Sequence, residues 1–109
     1  MKGVEHMHRE MTASELYDQL KEGVKLNLID VREQDEWEDG HIEQARFIPL
    51  SEFQARANEV HDVEGDVVFI CRSGGRSGKV CDFLSLQGFD VVNVTGGMLA
   101  WPGEVVVGK

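Results

Sequence analysis

Cys71 closes the apolar run Val67-Val68-Phe69-Ile70, and Arg72-Ser73-Gly74-Gly75-Arg76-Ser77-Gly78 follows it. Each residue type in that window answers a chemical need. A strand ending there brings the sulfur to an edge. Gly74 and Gly75 let the backbone N–H groups of residues 72 to 76 turn inward into an anion-binding concavity. A helix starting beyond the loop adds the positive end of its dipole, and Arg72 and Arg76 add full charge. A thiol so placed loses its proton near neutral pH and becomes a nucleophile. The window predicts a nucleophilic Cys71 on the floor of an anion pocket lined by Arg72, Ser73, Gly74, Gly75, Arg76 and Ser77.

The elements that must hold this loop follow from the pattern around it. Val4 to His8 suits a short edge strand. Thr12-Ala13-Ser14-Glu15 has the spacing of a capping box, so a helix begins there, buries Leu16 and Leu20, and stops at Gly23. Leu26 to Val31 reads as a strand, Glu33 to Asp39 as a short helix closed by Gly40, and Phe47 to Leu50 as a short strand. A helix runs from Ser51 to about Asn58. Val67 to Ile70 is apolar at every position, as a central parallel strand buried on both faces requires. The next helix, Ser77 to Gln87, places Val80, Phe83 and Leu84 on one stripe. Val91 to Val94 is a strand, and Gly96-Gly97 leads into a last helical turn containing Trp101. Strands and helices alternate throughout, which predicts an α/β fold with a mostly parallel sheet. Ligands of such sheets bind beyond the carboxyl ends of the strands. Asp30-Val31-Arg32, the Cys71 loop and Thr95-Gly96-Gly97 all fall at those ends.

The 109 residues suit one domain spanning 1–109, with an ordinary hydrophobic content of 41%. No apolar stretch is long enough to span a bilayer, and the polar start is unlike a signal peptide, so a cytoplasmic, membrane-free protein is expected. A formal net charge of −9 argues against general nucleic-acid binding. Against that acidic background Arg72 and Arg76, with Lys79 just beyond, form a local positive focus suited to a small anion. A monomer is the default expectation.

These residues resemble the single-domain rhodanese family of sulfurtransferases. The likeness runs through Leu28-Ile29-Asp30-Val31-Arg32, Glu36 and Trp37, and Gly40-His41-Ile42 with Ala45 and Ile48-Pro49. It continues through Cys71 to Ser77 and ends on Val94-Thr95-Gly96-Gly97 and Trp101. The resemblance implies a three-layer α/β fold, a central mainly parallel five-stranded sheet flanked by helices. It implies that Cys71 takes a sulfane sulfur from a small anionic donor such as thiosulfate and holds it as a persulfide. A thiophilic acceptor then removes it: cyanide, glutathione or a thioredoxin-like protein. No cofactor or metal is implied. Some rhodanese-like domains lack the cysteine and only bind or regulate, whereas this chain keeps it.

Two other readings stay open beside that one. The first is a partner-dependent persulfide relay or sulfur-binding regulatory module with little turnover of free thiosulfate. The second is a cysteine-dependent phosphatase or arsenate reductase. Such phosphatases resemble the pattern Cys, five residues, Arg, but Cys71 and Arg76 have four residues between them. The smaller ring suits a lone sulfur better than a tetrahedral phosphoryl group.

The remaining polar residues carry blander expectations. Asp30 is expected to be structural, in an ion pair that fixes its turn. Arg32 lies between that role and a place among the substrate-binding groups. His41 is read as a turn-stabilising hydrogen bonder, since a thiolate activated by its loop needs no base. His6 and His8 alternate as an edge strand would make them, without supporting metal ligands. Cys81 is expected to be a buried free thiol at the margin of its helix stripe rather than a redox partner of Cys71. The tryptophans read as core or pocket wall, and the carboxylates around Trp37 as a solvated helix face.

Overall fold

The computed structural model describes residues 8–109. Its elements are β1 (Arg9–Thr12), α1 (Ala13–Lys21), β2 (Leu26–Asp30), α2 (Gln34–Asp39) and β3 (Arg46–Phe47). There follow α3 (Leu50–Arg56), a 3-10 turn (Ala57–Asp62), β4 (Asp66–Ile70), α4 (Gly75–Leu86), β5 (Val91–Thr95) and a 3-10 turn (Gly97–Ala100). The five strands form one sheet in the order β1-β5-β4-β2-β3, parallel at every pairing. The α/β alternation and the parallel sheet are as the sequence predicts.

Apolar residues on both faces of the inner strands explain the layering. Along β4, Val67 and Phe69 point into one core with Ile29, Phe53, Val80, Leu84 and Val91. Val68 and Ile70 point into the other, with Ala13, Leu16, Leu28, Val92 and Val94. One core is roofed by α3 and α4, the other by α1. Burying each such side chain contributes about 1.5–3 kcal/mol, which is why Val67 to Ile70 has no room for polar residues. At the start of α1 the Thr12 hydroxyl accepts the Glu15 N–H at 3.0 Å, and the Glu15 carboxylate accepts the Thr12 N–H at 2.9 Å. This is the expected capping box.

Two expectations need correction, and a third falls almost wholly outside the described residues. The first described strand is Arg9–Thr12; of the strand expected over Val4 to His8, all but His8 lies outside the described residues. The strand expected at Phe47 to Leu50 is only Arg46–Phe47, because Pro49, lacking an N–H, serves as N-cap of α3. Helix α4 starts at Gly75 rather than Ser77, because Gly74 takes a left-handed turn (φ +101°) and lets the helix begin at once. Its buried face is then Ser77, Val80, Cys81, Leu84 and Ser85, while Phe83 is 56% exposed. Among the described residues no helix is long and apolar enough to cross a membrane.

Candidate active site

The chain leaves β2 towards β3 on one side and β4 towards β5 on the other. A crevice opens where those paths diverge, at the carboxyl ends of β2 and β4. Val31 N–H donates to the Ile70 carbonyl at 3.0 Å across its floor. Cys71 follows Ile70 directly and is 1% exposed. A reacting partner must therefore present a single small atom to it.

The loop wraps the sulfur in donors. Gly74 N–H lies 3.1 Å from Cys71 Sγ, Ser77 N–H 3.4 Å and Ser77 Oγ 3.3 Å. Burial alone pushes the Cys71 thiol up. The Ser77 hydroxyl, the N–H groups of Ser77 and Gly74, and that of Ser73 together outweigh it, so the thiol lies below its ordinary value. Such donors strengthen as charge develops on the sulfur, the arrangement that oxyanion holes use for oxygen.

The third strand end braces the loop from behind. Met98 N–H donates to the Cys71 carbonyl and Leu99 N–H to the Arg72 carbonyl, both at 2.9 Å. Gly97 (φ +53°) lies so close that a Cβ there would strike the Cys71 carbonyl oxygen and stand 2.6 Å from that of Arg72. A side chain at this position would force the loop away from β5.

The three arginines expected near the pocket divide. Arg72 is exposed, and among the described residues its guanidinium has no hydrogen-bond or ion-pair partner. Arg76 is half-buried and forms a forked pair with Glu36 on α2, Nη1 to Oε1 and Nη2 to Oε2, each 2.8 Å. Hydrogen bonding from Arg76, against some burial, holds the Glu36 carboxyl at about 2. Glu36 therefore does not belong to a solvated face, as its neighbourhood suggests; Glu33 N–H also donates to it at 3.0 Å. Arg32 is 7% exposed: its Nε and Nη2 bond Asp30, and Nη2 also bonds the Gly40 carbonyl at 2.8 Å. Asp30, itself buried, accepts the Arg32 N–H at 3.0 Å as well. The pair ties the turn after β2 to the end of α2.

The remaining candidates sit around this frame. His41 stacks on Trp37 with ring centroids 3.5 Å apart. Its Nδ1 lies 2.7 Å from the Trp37 carbonyl, which can only accept, so Nδ1 carries the proton. His41 thus braces the end of α2. Cys81 is fully buried and central on the α4 stripe rather than at its margin, and burial pushes its thiol up to about 12. Trp101 packs edge-on against Tyr17, with centroids 5.5 Å apart.

One polar residue beside the loop escapes the sequence reading. Asn93, 5% exposed on β5, places Oδ1 2.6 Å from Ser77 Oγ and Nδ2 3.2 Å from the Gly74 carbonyl. The signal was present: one amide interrupts Val91-Val92-Asn93-Val94, an otherwise apolar buried strand.

Comparison with known proteins agrees with this fold. The family model described as "Rhodanese-like domain" matches residues 12–104. YtwF of Bacillus subtilis (strain 168), named as a candidate sulfurtransferase, is 44% identical over 96 residues, covering 88% of this chain and 92% of that protein. A sulfurtransferase of Allochromatium vinosum is 34% identical over 96 residues, covering 87% and 89%. The crystal structure of a rhodanese-like domain protein from Staphylococcus aureus superposes with a TM-score of 0.81 at 32% identity, covering 93% of this chain and 99% of that one.

Proposed function

The chain belongs to the rhodanese-like domain family, and on that premise we propose that it is a sulfurtransferase working through a Cys71 persulfide. The observation that carries this reading is the set of donors aimed at one sulfur, from Gly74, Ser77 and the Ser77 hydroxyl. In the first half-reaction the Cys71 thiolate attacks the outer sulfur of thiosulfate or a similar donor. The new S–S bond forms on Cys71 as the donor's own S–S bond breaks, and sulfite departs with the electron pair. In the second, a thiolate such as glutathione or a thioredoxin-like cysteine, or cyanide, attacks the outer persulfide sulfur. The Cys71 thiolate leaves, returned to its starting state.

Each loop residue has a place in that scheme. The N–H groups of Ser73, Gly74 and Ser77 hold the charge on sulfur. Arg72, exposed and without a partner among the described residues, is the group that meets the donor's oxyanion. Gly75 opens α4 directly after the left-handed turn at Gly74. Arg76 supplies positive field, but its fork is held by Glu36, so a donor anion takes that fork only by displacing a carboxylate. Arg32 acts here as a positioning residue, because its buried guanidinium is spent on Asp30 and Gly40.

Initial-rate kinetics test the scheme. With thiosulfate and cyanide varied together, parallel double-reciprocal lines are expected, as for a covalent intermediate that outlives the first product. Intersecting lines, requiring both substrates bound at once, contradict it. Negligible rates with thiosulfate beside rapid transfer from a persulfidated protein would make the domain a partner-dependent relay.

A further inference from the structure

We infer that Asn93 is a positioning residue that sets the acidity of Cys71 by competing with it for the single hydroxyl proton of Ser77. This inference rests on Cys71 being the reactive thiol of the proposed function. A serine hydroxyl has one proton, and here it has two acceptors. Asn93 Oδ1 is 2.6 Å from Ser77 Oγ, and Cys71 Sγ is 3.3 Å from it. The amide is fixed in orientation: the Gly74 carbonyl can only accept, so Nδ2 must face it and Oδ1 must face Ser77. Gly78 leaves room for this arrangement, since a Cβ there would lie 3.3 Å from Asn93 Nδ2.

The two protonation states of Cys71 need different settings of the hydroxyl. While Cys71 is a thiol, Ser77 donates to Asn93 Oδ1, and its lone pairs face the S–H. When the thiol proton leaves to a base in solution, the Ser77 O–H turns to the thiolate. Asn93 Oδ1 then faces an oxygen with no hydrogen between them, inside a buried site. That unmade bond costs free energy, so Asn93 opposes ionisation while Ser77 favours it. Once the inner sulfur is neutral in a persulfide, the hydroxyl returns to Asn93. The amide thereby balances two needs, because a more acidic thiol leaves faster but attacks more weakly.

Other groups around Cys71 hold charge but do not share this proton. They are Arg72 in the loop, Arg76 on α4, Glu36 and Glu33 at the start of α2, the Asp30–Arg32 pair after β2, and Asp82 further along α4, next to the un-ionised Cys81. None makes a hydrogen bond to Ser77 Oγ among the described residues.

The test is the midpoint of Cys71 thiolate formation, read as the pH dependence of its alkylation by iodoacetamide with the site resolved by peptide mass spectrometry. Asn93→Leu keeps the branched four-atom side chain, excludes water and removes the acceptor, so the midpoint falls by about one unit. Ser77→Ala raises it by a similar amount, and adding Asn93→Leu to Ser77→Ala changes nothing more. In the unaltered protein, the Asn93 side-chain amide NMR resonances shift with the Cys71 midpoint, and this shift is lost in Ser77→Ala. This readout stands even if Asn93→Leu does not fold. A midpoint that rises or stays fixed in Asn93→Leu, or an amide signal that ignores the titration, overturns the inference. Alkylation does not depend on sulfur transfer, so a protein with these shifts that accepts no sulfur contradicts the sulfurtransferase reading alone.

Discussion

Cys71 and Cys81 belong to the same cluster of buried side chains on one face of the sheet, at 1% and 0% exposure. They are nonetheless opposite acids. Cys81, nearly two turns into α4 among aliphatic neighbours, is pushed up to about 12 by burial, with the Asp82 charge adding to it. Cys71 suffers burial too, yet the loop around it draws the thiol below its ordinary value. Enclosure does not separate the two. Donors aimed at the sulfur do: Cys71 has Gly74, Ser77 and Ser73, while Cys81 lies past the point where the helix has N–H groups to spare. A reactive cysteine is made by the backbone path in front of it, and a small enclosed hydrophobe by the lack of one.

The largest expected difference lies in replacing each thiol. Cys71→Ser reduces sulfur transfer to the uncatalysed background. Cys81→Ser leaves the rate within about twofold and lowers stability by about 1–3 kcal/mol, because a hydroxyl replaces a thiol in an apolar site. Steady-state assays and denaturant unfolding of both variants check this, and equal losses of activity would erase the contrast. Next comes the frame beneath the loop. Arg32→Ala leaves Asp30 buried without its partner and destabilises the fold by about 3–5 kcal/mol, with Arg32→Lys unable to restore the forked contact. Arg72→Ala, at an exposed position, stays within about 0.5 kcal/mol of the parent and instead raises KM for the donor. A thermal-melt comparison separates the two.

Ser77→Ala makes Cys71 more like Cys81. Its thiolate midpoint rises by about one unit, the worth of one hydrogen bond to a charged group, as read by pH-dependent alkylation. The smallest effect concerns Glu36. Its carboxyl is held at about 2 when folded against an ordinary 4.5. Its contribution is therefore fully present above about pH 4.5 and lost as the pH falls towards about 2. For this half-exposed pair the loss is about 1 kcal/mol. Denaturant unfolding between neutral pH and about pH 2 should show a steeper acid loss for the parent than for Glu36→Gln; identical slopes would show that the Arg76–Glu36 pair contributes nothing.

Much of this was legible in the sequence because it is local. The Thr12–Glu15 cap, the doubly apolar Val67 to Ile70 and the glycine-rich run after Cys71 act within a few residues of themselves. Errors arose where distant segments decide. Arg76 meets Glu36 from 40 positions away, and no local pattern distinguishes that carboxylate from its solvated neighbours on α2. Phe83 lies three residues from Val80 and next to Leu84, but the sheet receives the face centred on Ser77, Cys81 and Leu84, which leaves Phe83 outward. Asn93 carries a readable sign, an amide within an apolar strand. Its partners are Ser77 and Gly74, whose nearness depends on β5 lying beside β4.

The central claim, that Cys71 carries sulfur, is tested most directly by intact mass spectrometry after brief incubation with thiosulfate and desalting, with Cys71→Ser alongside. The account predicts the gain of one sulfur atom, absent from the variant and discharged by cyanide as thiocyanate. A protein whose Cys71 is shown to be reduced, and which gains no mass, contradicts it.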